Sequence, residues 1–304
     1  MRIAHFSDLH IDFAPGGERR QLVLEAIAEA LVSYEPDVVL IAGDLTNGRP
    51  DLLVKNLAPL AVGRLGNLVL EGNHDVWRTA TELRNGRDSF GAQSLFRDRV
   101  GEAGFHYLPG HPLTISDGHE TWGFAGSVGW YDYTFADPDL NVPAAAYQQK
   151  RWGSLVQEDA NYALWMGHGH FYSDPEITDA FLAQLEHDFA TLGLDEAGAG
   201  PPTVVATHTL PYSELVEHRD GDDEWNFFNA FMGSARLGAL YDRYPAIRAA
   251  FAGHTHRPRS FTRPDGFVAS VSPLGYYGSD EFPKWDMASR IAFFETAGNR
   301  LVRL

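Results

Sequence analysis

No cysteine occurs among the 304 residues, which excludes disulfide scaffolds, zinc–thiolate sites, iron–sulfur clusters and cysteine nucleophiles together. Basic side chains are also scarce. Against 41 Asp and Glu there are only 24 Lys and Arg, leaving a formal charge of −17. Such a surface repels extended polyanions, so nucleic acid is a disfavoured partner. A small anion remains admissible wherever bound divalent cations reverse the field locally. No apolar run reaches bilayer-spanning length, and the amino terminus, Met1-Arg2-Ile3-Ala4-His5-Phe6-Ser7-Asp8, turns polar too early for a secretory signal. A cytoplasmic protein with no membrane partner is expected. Repeats and low-complexity segments are missing as well. What remains, 44% hydrophobic and 12% aromatic residues, suits a globular chain with a substantial core, and a single domain over 1–304 is expected.

The first part of the chain alternates strand and helix. Arg2 to Ser7 reads as a strand, and Leu24, Ile27, Leu31 and Tyr34 recur at helical spacing before the stop at Glu35-Pro36. Val38-Val39-Leu40-Ile41-Ala42 is a continuous apolar run of the kind covered on both faces. A second helix is expected around Leu52 to Val62, and then comes the strand Leu68-Val69-Leu70. This βαβαβ order implies parallel strands whose carboxyl ends share one edge of a sheet, the place where open α/β sheets bind ligands.

From Val76 to Pro202 the signal weakens. Strands are expected at Phe105-His106-Tyr107-Leu108 and Trp122-Gly123-Phe124-Ala125-Gly126. A helix follows, with Asp174 as cap, Pro175 in its first turn and an apolar stripe of Ile177, Phe181, Leu185, Phe189 and Leu192. Residues 76–202 are expected to contain an inserted, cap-like region that shapes the pocket. Regular signal resumes with the strands Thr203-Val204-Val205-Ala206-Thr207 and Ala249-Ala250-Phe251-Ala252, and the remainder alternates short apolar runs with turns.

Five strand ends carry polar clusters: Asp8-x-His10, Gly43-Asp44, Gly72-Asn73-His74-Asp75, His208 and Gly253-His254-x-His256. Taken singly each has a bland explanation, since 13 histidines are present and an Asp after a strand commonly caps a helix. Their joint placement at strand termini has no bland explanation, and it points to a metal site. Carboxylates, imidazoles and one amide without thiolate suit Mn, Fe, Zn, Ni or Mg. The candidate ligands Asp8, His10, Asp44, Asn73, His208, His254 and His256 exceed what one ion needs. Two ions roughly 3.5–4 Å apart, sharing one carboxylate, would use them all. Gly72 is expected to let the backbone turn tightly between strand and site.

In these five blocks the chain resembles the calcineurin-like metallophosphoesterase superfamily, with Asp8-Leu9-His10, Gly43-Asp44, Gly72-Asn73-His74-Asp75, Thr207-His208 and Gly253-His254-Thr255-His256 in order. The resemblance implies an α/β fold, a four-layer α/β/β/α sandwich of two mixed β-sheets with a dinuclear metal site at strand C-terminal ends. It implies one ion on Asp8, His10, Asp44 and His256 and another on Asp44, Asn73, His208 and His254, with Asp44 bridging. It further implies hydrolysis of a phosphodiester or phosphomonoester by a metal-bridging hydroxide. His74 would protonate the leaving oxygen and Asp75 would orient the imidazole.

Several features narrow the expectation. Asn47 stands three residues after Asp44, where the purple acid phosphatase branch places a tyrosine, so a tyrosinate-ligated ferric site is not expected. Gly43-Asp44-Leu45-Thr46 lacks the Gly-Asp-x-x-Asp-Arg run of protein serine/threonine phosphatases. The pair His168 and His170 imitates the fifth block but lies out of order, and loop residues are the better reading. Ala125-Gly126-Ser127-Val128-Gly129 lacks the first glycine of a nucleophile elbow. Trp77, Trp130, Tyr131, Tyr212 and Phe227 are candidates to stack on a substrate base, against the usual packing role of aromatics. The leading expectation is a small-molecule phosphoesterase; a nuclease of the same superfamily and an inactive scaffold are the alternatives.

Overall fold

The computed structural model describes residues 1–13, 17–167, 169–275 and 288–304. In chain order its strands are β1 (Arg2–Phe6), β2 (Val38–Ala42), β3 (Gly66–Leu70), β4 (His106–Tyr107), β5 (Leu113–Ser116) and β6 (Thr121–Ser127). Two short hairpins follow, β7 (Arg151–Trp152) with β8 (Leu155–Val156) and β9 (Met166–Gly167) with β10 (His170–Phe171). The chain closes with β11 (Thr203–Thr207), β12 (Ile247–Ala252), β13 (Arg259–Thr262), β14 (Val268–Val271), β15 (Ala292–Ala297) and β16 (Arg300–Arg303).

Two six-stranded mixed sheets result, ordered β16-β15-β1-β2-β3-β4 and β13-β14-β12-β11-β6-β5. β1, β2 and β3 pair in parallel, as do β6, β11, β12 and β14. Each run of parallel strands brings its carboxyl ends to one edge. The terminal strands meander only in part. β13–β14 and β15–β16 are antiparallel hairpins, and one extends the second sheet while the other extends the first.

Side chains alternate along each strand, and the period of two sorts them into layers. Ile3, Leu40, Leu68 and Leu70 face Phe124, Val204, Ala206 and Phe251 across the inter-sheet core. The opposite face of the first sheet, with Ala4, Phe6, Val39, Ile41 and Val69, is covered by Leu24, Ile27 and Leu31 of the helix Gly17–Tyr34 and by Phe96 and Val100 of Ser89–Glu102. On the second sheet Ala125, Val205, Ala250 and Val271 meet Leu185 and Phe189 of the helix Asp174–Thr191 and Leu237 of Ala235–Asp242. The α/β/β/α sandwich expected from the motifs is therefore the observed fold.

A fourth apolar cluster lies outside these layers, with Trp130, Tyr131, Tyr147, Trp165, Phe181, Phe227 and Phe231 packed together. Most of it comes from residues 130–181 and 227–231, between sheet strands. Within 76–202 the strands β4, β5 and β6 are members of the sheets themselves. The cap of Asp174–Thr191 is Ser173 rather than Asp174. Ser173 and Glu176 form a capping box, and Asp174 is buried, with its carboxylate bonded to Trp130 Nε1 at 2.8 Å, Lys150 Nζ at 2.6 Å and the Tyr133 hydroxyl. The aromatic cluster drew Asp174 inward, so the residue before it took the cap. No helix among the described residues is long and apolar enough to cross a membrane.

Candidate metal centre

The loops after β1 and β2 are stitched together by main-chain bonds, from Asp8 N to Gly43 O (2.9 Å), His10 N to Asp44 O (3.0 Å) and Ile11 N to Leu45 O (2.8 Å). The second sheet joins through His208 Nδ1 to Ala42 O (2.8 Å) and His254 N to the Asp8 carboxylate (3.1 Å), while Gly253 N to His208 O (2.9 Å) ties its own two loops together. To turn side chains back into this crevice, the backbone adopts a left-handed conformation at Asp8 (φ 57), His10 (φ 41), Asp44 (φ 55), His254 (φ 74) and His256 (φ 53). These five make up more than half of the nine non-glycine residues with positive φ among the described residues. Each such position costs about 1–3 kcal/mol, and such strain concentrates where function requires it.

All seven candidate ligands converge. Ligand atoms of Asp8, His10, Asp44 and His256 lie within 4.8 Å of one another, and so do those of Asp44, His208 and His254. Asp44 belongs to both groups. His256 Nε2 is 3.2 Å from Asp8 Oδ1 and 3.0 Å from His10 Nε2, while His208 Nε2 is 3.3 Å from Asp44 Oδ2 and 3.1 Å from Asn73 Oδ1. Asp8, His10, Asp44, Asn73 and His208 are buried, with His254 and His256 nearer the surface.

The donor chemistry fits cations. His208 Nδ1 donates to Ala42 O at 2.8 Å, which leaves the lone pair of Nε2 facing the Asp44 carboxylate and the Asn73 carbonyl. His254 Nε2 donates to Phe231 O at 3.1 Å, so its lone pair is on Nδ1. Acceptors thus converge on a point that needs positive charge. Although burial works against charge on His208, the Asp44 carboxylate holds its pKa up at about 9, so a proton can occupy that place. Burial holds His10 well below the ordinary histidine range and His254 down at about 4, the neutral form that ligands require. Burial also disfavours the Asp8 carboxylate, but the hydrogen bond and charge of His256 outweigh it and hold the group at about 2.

His74 lies beside this cluster, not within it. Its main-chain N donates to Asp44 Oδ1 at 3.0 Å and its Nε2 is 3.8 Å from Asp44 Oδ2. The expected support from Asp75 is not what the structure shows. Asp75 accepts from the main-chain N of Thr46 (2.8 Å), Gly72 (2.9 Å) and Leu45 (3.1 Å), binding the β2 and β3 loops to each other. Burial and the nearby Asp44 push its carboxyl up to about 8 against those amides. The ring of His74 is held by Asn47, whose Oδ1 lies 2.5 Å from Nδ1, and by Trp77, stacked at 3.7 Å between centroids. Asn47 is held in turn by Asp12, which accepts from its main-chain N at 3.1 Å. The resemblance suggested Asp75 for that support, but its carboxylate is taken up by backbone amides.

Asp159 gave no signal in the sequence. Its buried carboxylate accepts from Asn73 Nδ2 (3.0 Å), Trp77 Nε1 (2.6 Å), the Tyr131 hydroxyl (2.9 Å) and Gln157 Nε2 (3.1 Å). Four of the five aromatics offered for base stacking are buried: Trp130, Tyr131 and Phe227 fully, and Tyr212 at 6% exposure. Only Trp77 lies at the site, and the exposed Tyr162 stacks on it at 5.0 Å. Gly72 does not adopt a positive φ. Its role is space, because a Cβ there would overlap the Asp44 carboxylate. His170 is exposed and pairs with Glu176 at 3.2 Å, whereas His168 lies outside the described residues. Ser127 ends β6 in a turn, its hydroxyl accepting from Gly129 N.

Carboxylates, imidazoles and one amide at the carboxyl ends of parallel strands in a two-sheet sandwich define a metallohydrolase. The chain belongs to the calcineurin-like phosphoesterase family, whose model matches residues 1–258, and it is a metal-dependent phosphoesterase. The crystal structure of phosphopantetheinyl hydrolase (PptH) from Mycobacterium tuberculosis has the same fold, with a TM-score of 0.67 and 20% identity over 99% of this chain and 95% of that one. A dimetal phosphatase from Danio rerio (LOC 393393) aligns at a TM-score of 0.48 and 12% identity, covering 100% of this chain and 98% of its own. No curated protein matches the chain.

Proposed function

We propose that the protein hydrolyses a small-molecule phosphodiester, with Asp8, His10, Asp44 and His256 holding one divalent ion and Asp44, Asn73, His208 and His254 a second. Bound there, the ions supply Lewis acidity toward the phosphoryl oxygens and an acidified water as nucleophile. The remaining work falls to the chain. Asp44 Oδ1 is fixed by the His74 amide, and the backbone strain at five ligands is held by the bonds between loops, so the donor set is organised before substrate arrives.

The observation that carries the reading is the placement of His74. It is the imidazole of the third block, set beside the ligand cluster, held by Asn47 at Nδ1 and presenting Nε2 toward the cluster at 3.8 Å from Asp44. With Nδ1–H donated to Asn47, a proton on Nε2 is the second proton of an imidazolium, which burial disfavours and the Asp44 charge favours, and from there it would pass to an alkoxide as it leaves phosphorus. Trp77 and the exposed Tyr162 extend outward from this ring, giving an organic leaving group a flat apolar wall. Tyr131 of the fourth apolar cluster shares the Asp159 carboxylate with Trp77, and the segment around Tyr131 and Gln157 is the cap that would cover that side of the site.

Purified enzyme loaded with manganese, then with zinc, iron, nickel or magnesium, tests the reading on bis-p-nitrophenyl phosphate, p-nitrophenyl phosphate and a panel of metabolite diesters. The panel includes phosphopantetheine esters, because the solved relative is named for that group. Turnover of diesters above monoesters is expected. Exclusive monoester turnover would replace the diester assignment, and degradation of DNA or RNA alone would favour the nuclease despite the charge of −17.

A further inference from the structure

We propose that Asp159 is a positioning residue for the second ion, an inference that rests on Asn73 being one of its ligands. An asparagine amide can present either its oxygen or its nitrogen to a site, and only the oxygen can coordinate a cation. In this structure the choice is made by a carboxylate 86 residues away: Asn73 Nδ2 donates to Asp159 Oδ1 at 3.0 Å, which turns Asn73 Oδ1 toward His208 Nε2 at 3.1 Å. A carboxylate accepts only, so it cannot stabilise the flipped amide.

The two oxygens of Asp159 divide their work. Oδ1 takes Asn73 and also Trp77 Nε1 at 2.6 Å, and Trp77 is the ring on which His74 stacks. Oδ2 takes the Tyr131 hydroxyl at 2.9 Å and Gln157 Nε2 at 3.1 Å, both from the cap. All four of these partners are donors, so hydrogen bonds offset the cost of burying the carboxylate. One oxygen therefore serves a ligand and the proton donor's platform, while the other ties them to Tyr131 and Gln157.

Metal titration of the chelator-treated protein by calorimetry, using manganese alone, provides the test. Wild type is expected to take up two ions. Asp159→Asn should weaken one of them about 10–100-fold and leave the other unchanged, since removal of an outer partner of a ligand has effects of that size. Asn73→Ala should weaken the same ion, and the double variant should lose little more than Asn73→Ala alone. Tyr131→Phe, which removes a donor to Oδ2 only, should leave both affinities within a few-fold and so separates positioning from a general packing role. Should Asp159→Asn not fold, Asp159→Glu keeps the charge while displacing the oxygen and is expected to show the same selective loss. The wild-type protein offers a reading free of substitutions, because the Asn73 side-chain amide should give a slowly exchanging, downfield-shifted proton by NMR. Unchanged affinities in a folded Asp159 variant, or a freely exchanging Asn73 amide, overturn the proposal. Failure of wild type to bind a second ion would instead overturn the ligand assignment on which it rests.

Discussion

Removal of the His74 side chain separates proton delivery from the rest of the proposed reaction. His74→Ala leaves the main-chain bond from residue 74 to Asp44 Oδ1 in place and takes away only the ring, which sits 3.8 Å from Asp44 Oδ2, outside the two ligand groups. The bound ions and the water they acidify should survive. A positioned general acid contributes about 10²–10⁴-fold, or roughly 3–5 kcal/mol of barrier, wherever the leaving oxygen needs a proton. A p-nitrophenolate leaves as a stable anion and needs none. The expected result is therefore a loss of about 10²–10⁴-fold in kcat on an alkyl diester against less than about tenfold on bis-p-nitrophenyl phosphate. Asn47→Ala keeps the ring but removes the acceptor that holds Nδ1, and a single hydrogen bond of about 1 kcal/mol predicts a loss near fivefold on the alkyl substrate only. Steady-state kinetics on both substrates, with metal content measured for each variant, decide the matter. Equal losses on the two leaving groups at full metal content would refute the general-acid role.

Other consequences are equally direct. Gly72→Ala places a methyl group into the Asp44 carboxylate, and a shift near 1 Å in so central a ligand should cost about 10²-fold or more in activity together with bound metal; a fully loaded, active Gly72→Ala enzyme would show that the contact relaxes freely. His5, buried in β1 and stacked on Phe251 at 4.4 Å, has its pKa pushed by burial from 6.5 down to about 4. The unfolded chain therefore takes up this proton first as pH falls. Stability due to His5 is full above about 6.5, declines toward about 4 and levels off about 3 kcal/mol lower. Denaturant unfolding of chelator-treated wild type and His5→Phe should diverge across that window and run parallel above it; parallel behaviour throughout would remove His5 from the acid response. Metal at about a hundred times its dissociation constant should stabilise the apo protein by roughly 3 kcal/mol, raising Tm by several degrees, and no shift would speak against the site.

The sequence by itself determined the fold and brought forward the candidate ligands that converge in it, for a local reason. Strand runs such as Val38–Ala42 are written in consecutive residues, and the clusters Asp8-x-His10 and His254-x-His256 sit directly at the ends of such runs, so topology carries them to one edge. The supports of those residues were decided by the tertiary structure, because they depend on which donor reaches which acceptor first. Asp75, beside His74 in sequence, was claimed by the amides of Gly72, Leu45 and Thr46, and the ring went to Asn47 from another loop. Trp130 and Tyr131 have the chemistry of a stacking platform, but they are buried in the fourth cluster, and the aromatic ring at the site is Trp77, stacked on His74. Asp159 reaches Asn73 from a segment with no periodic signal, 86 residues further along the chain. Ligand identity is a property of short stretches, whereas orientation of those ligands is settled by contacts that exist only once distant segments have packed.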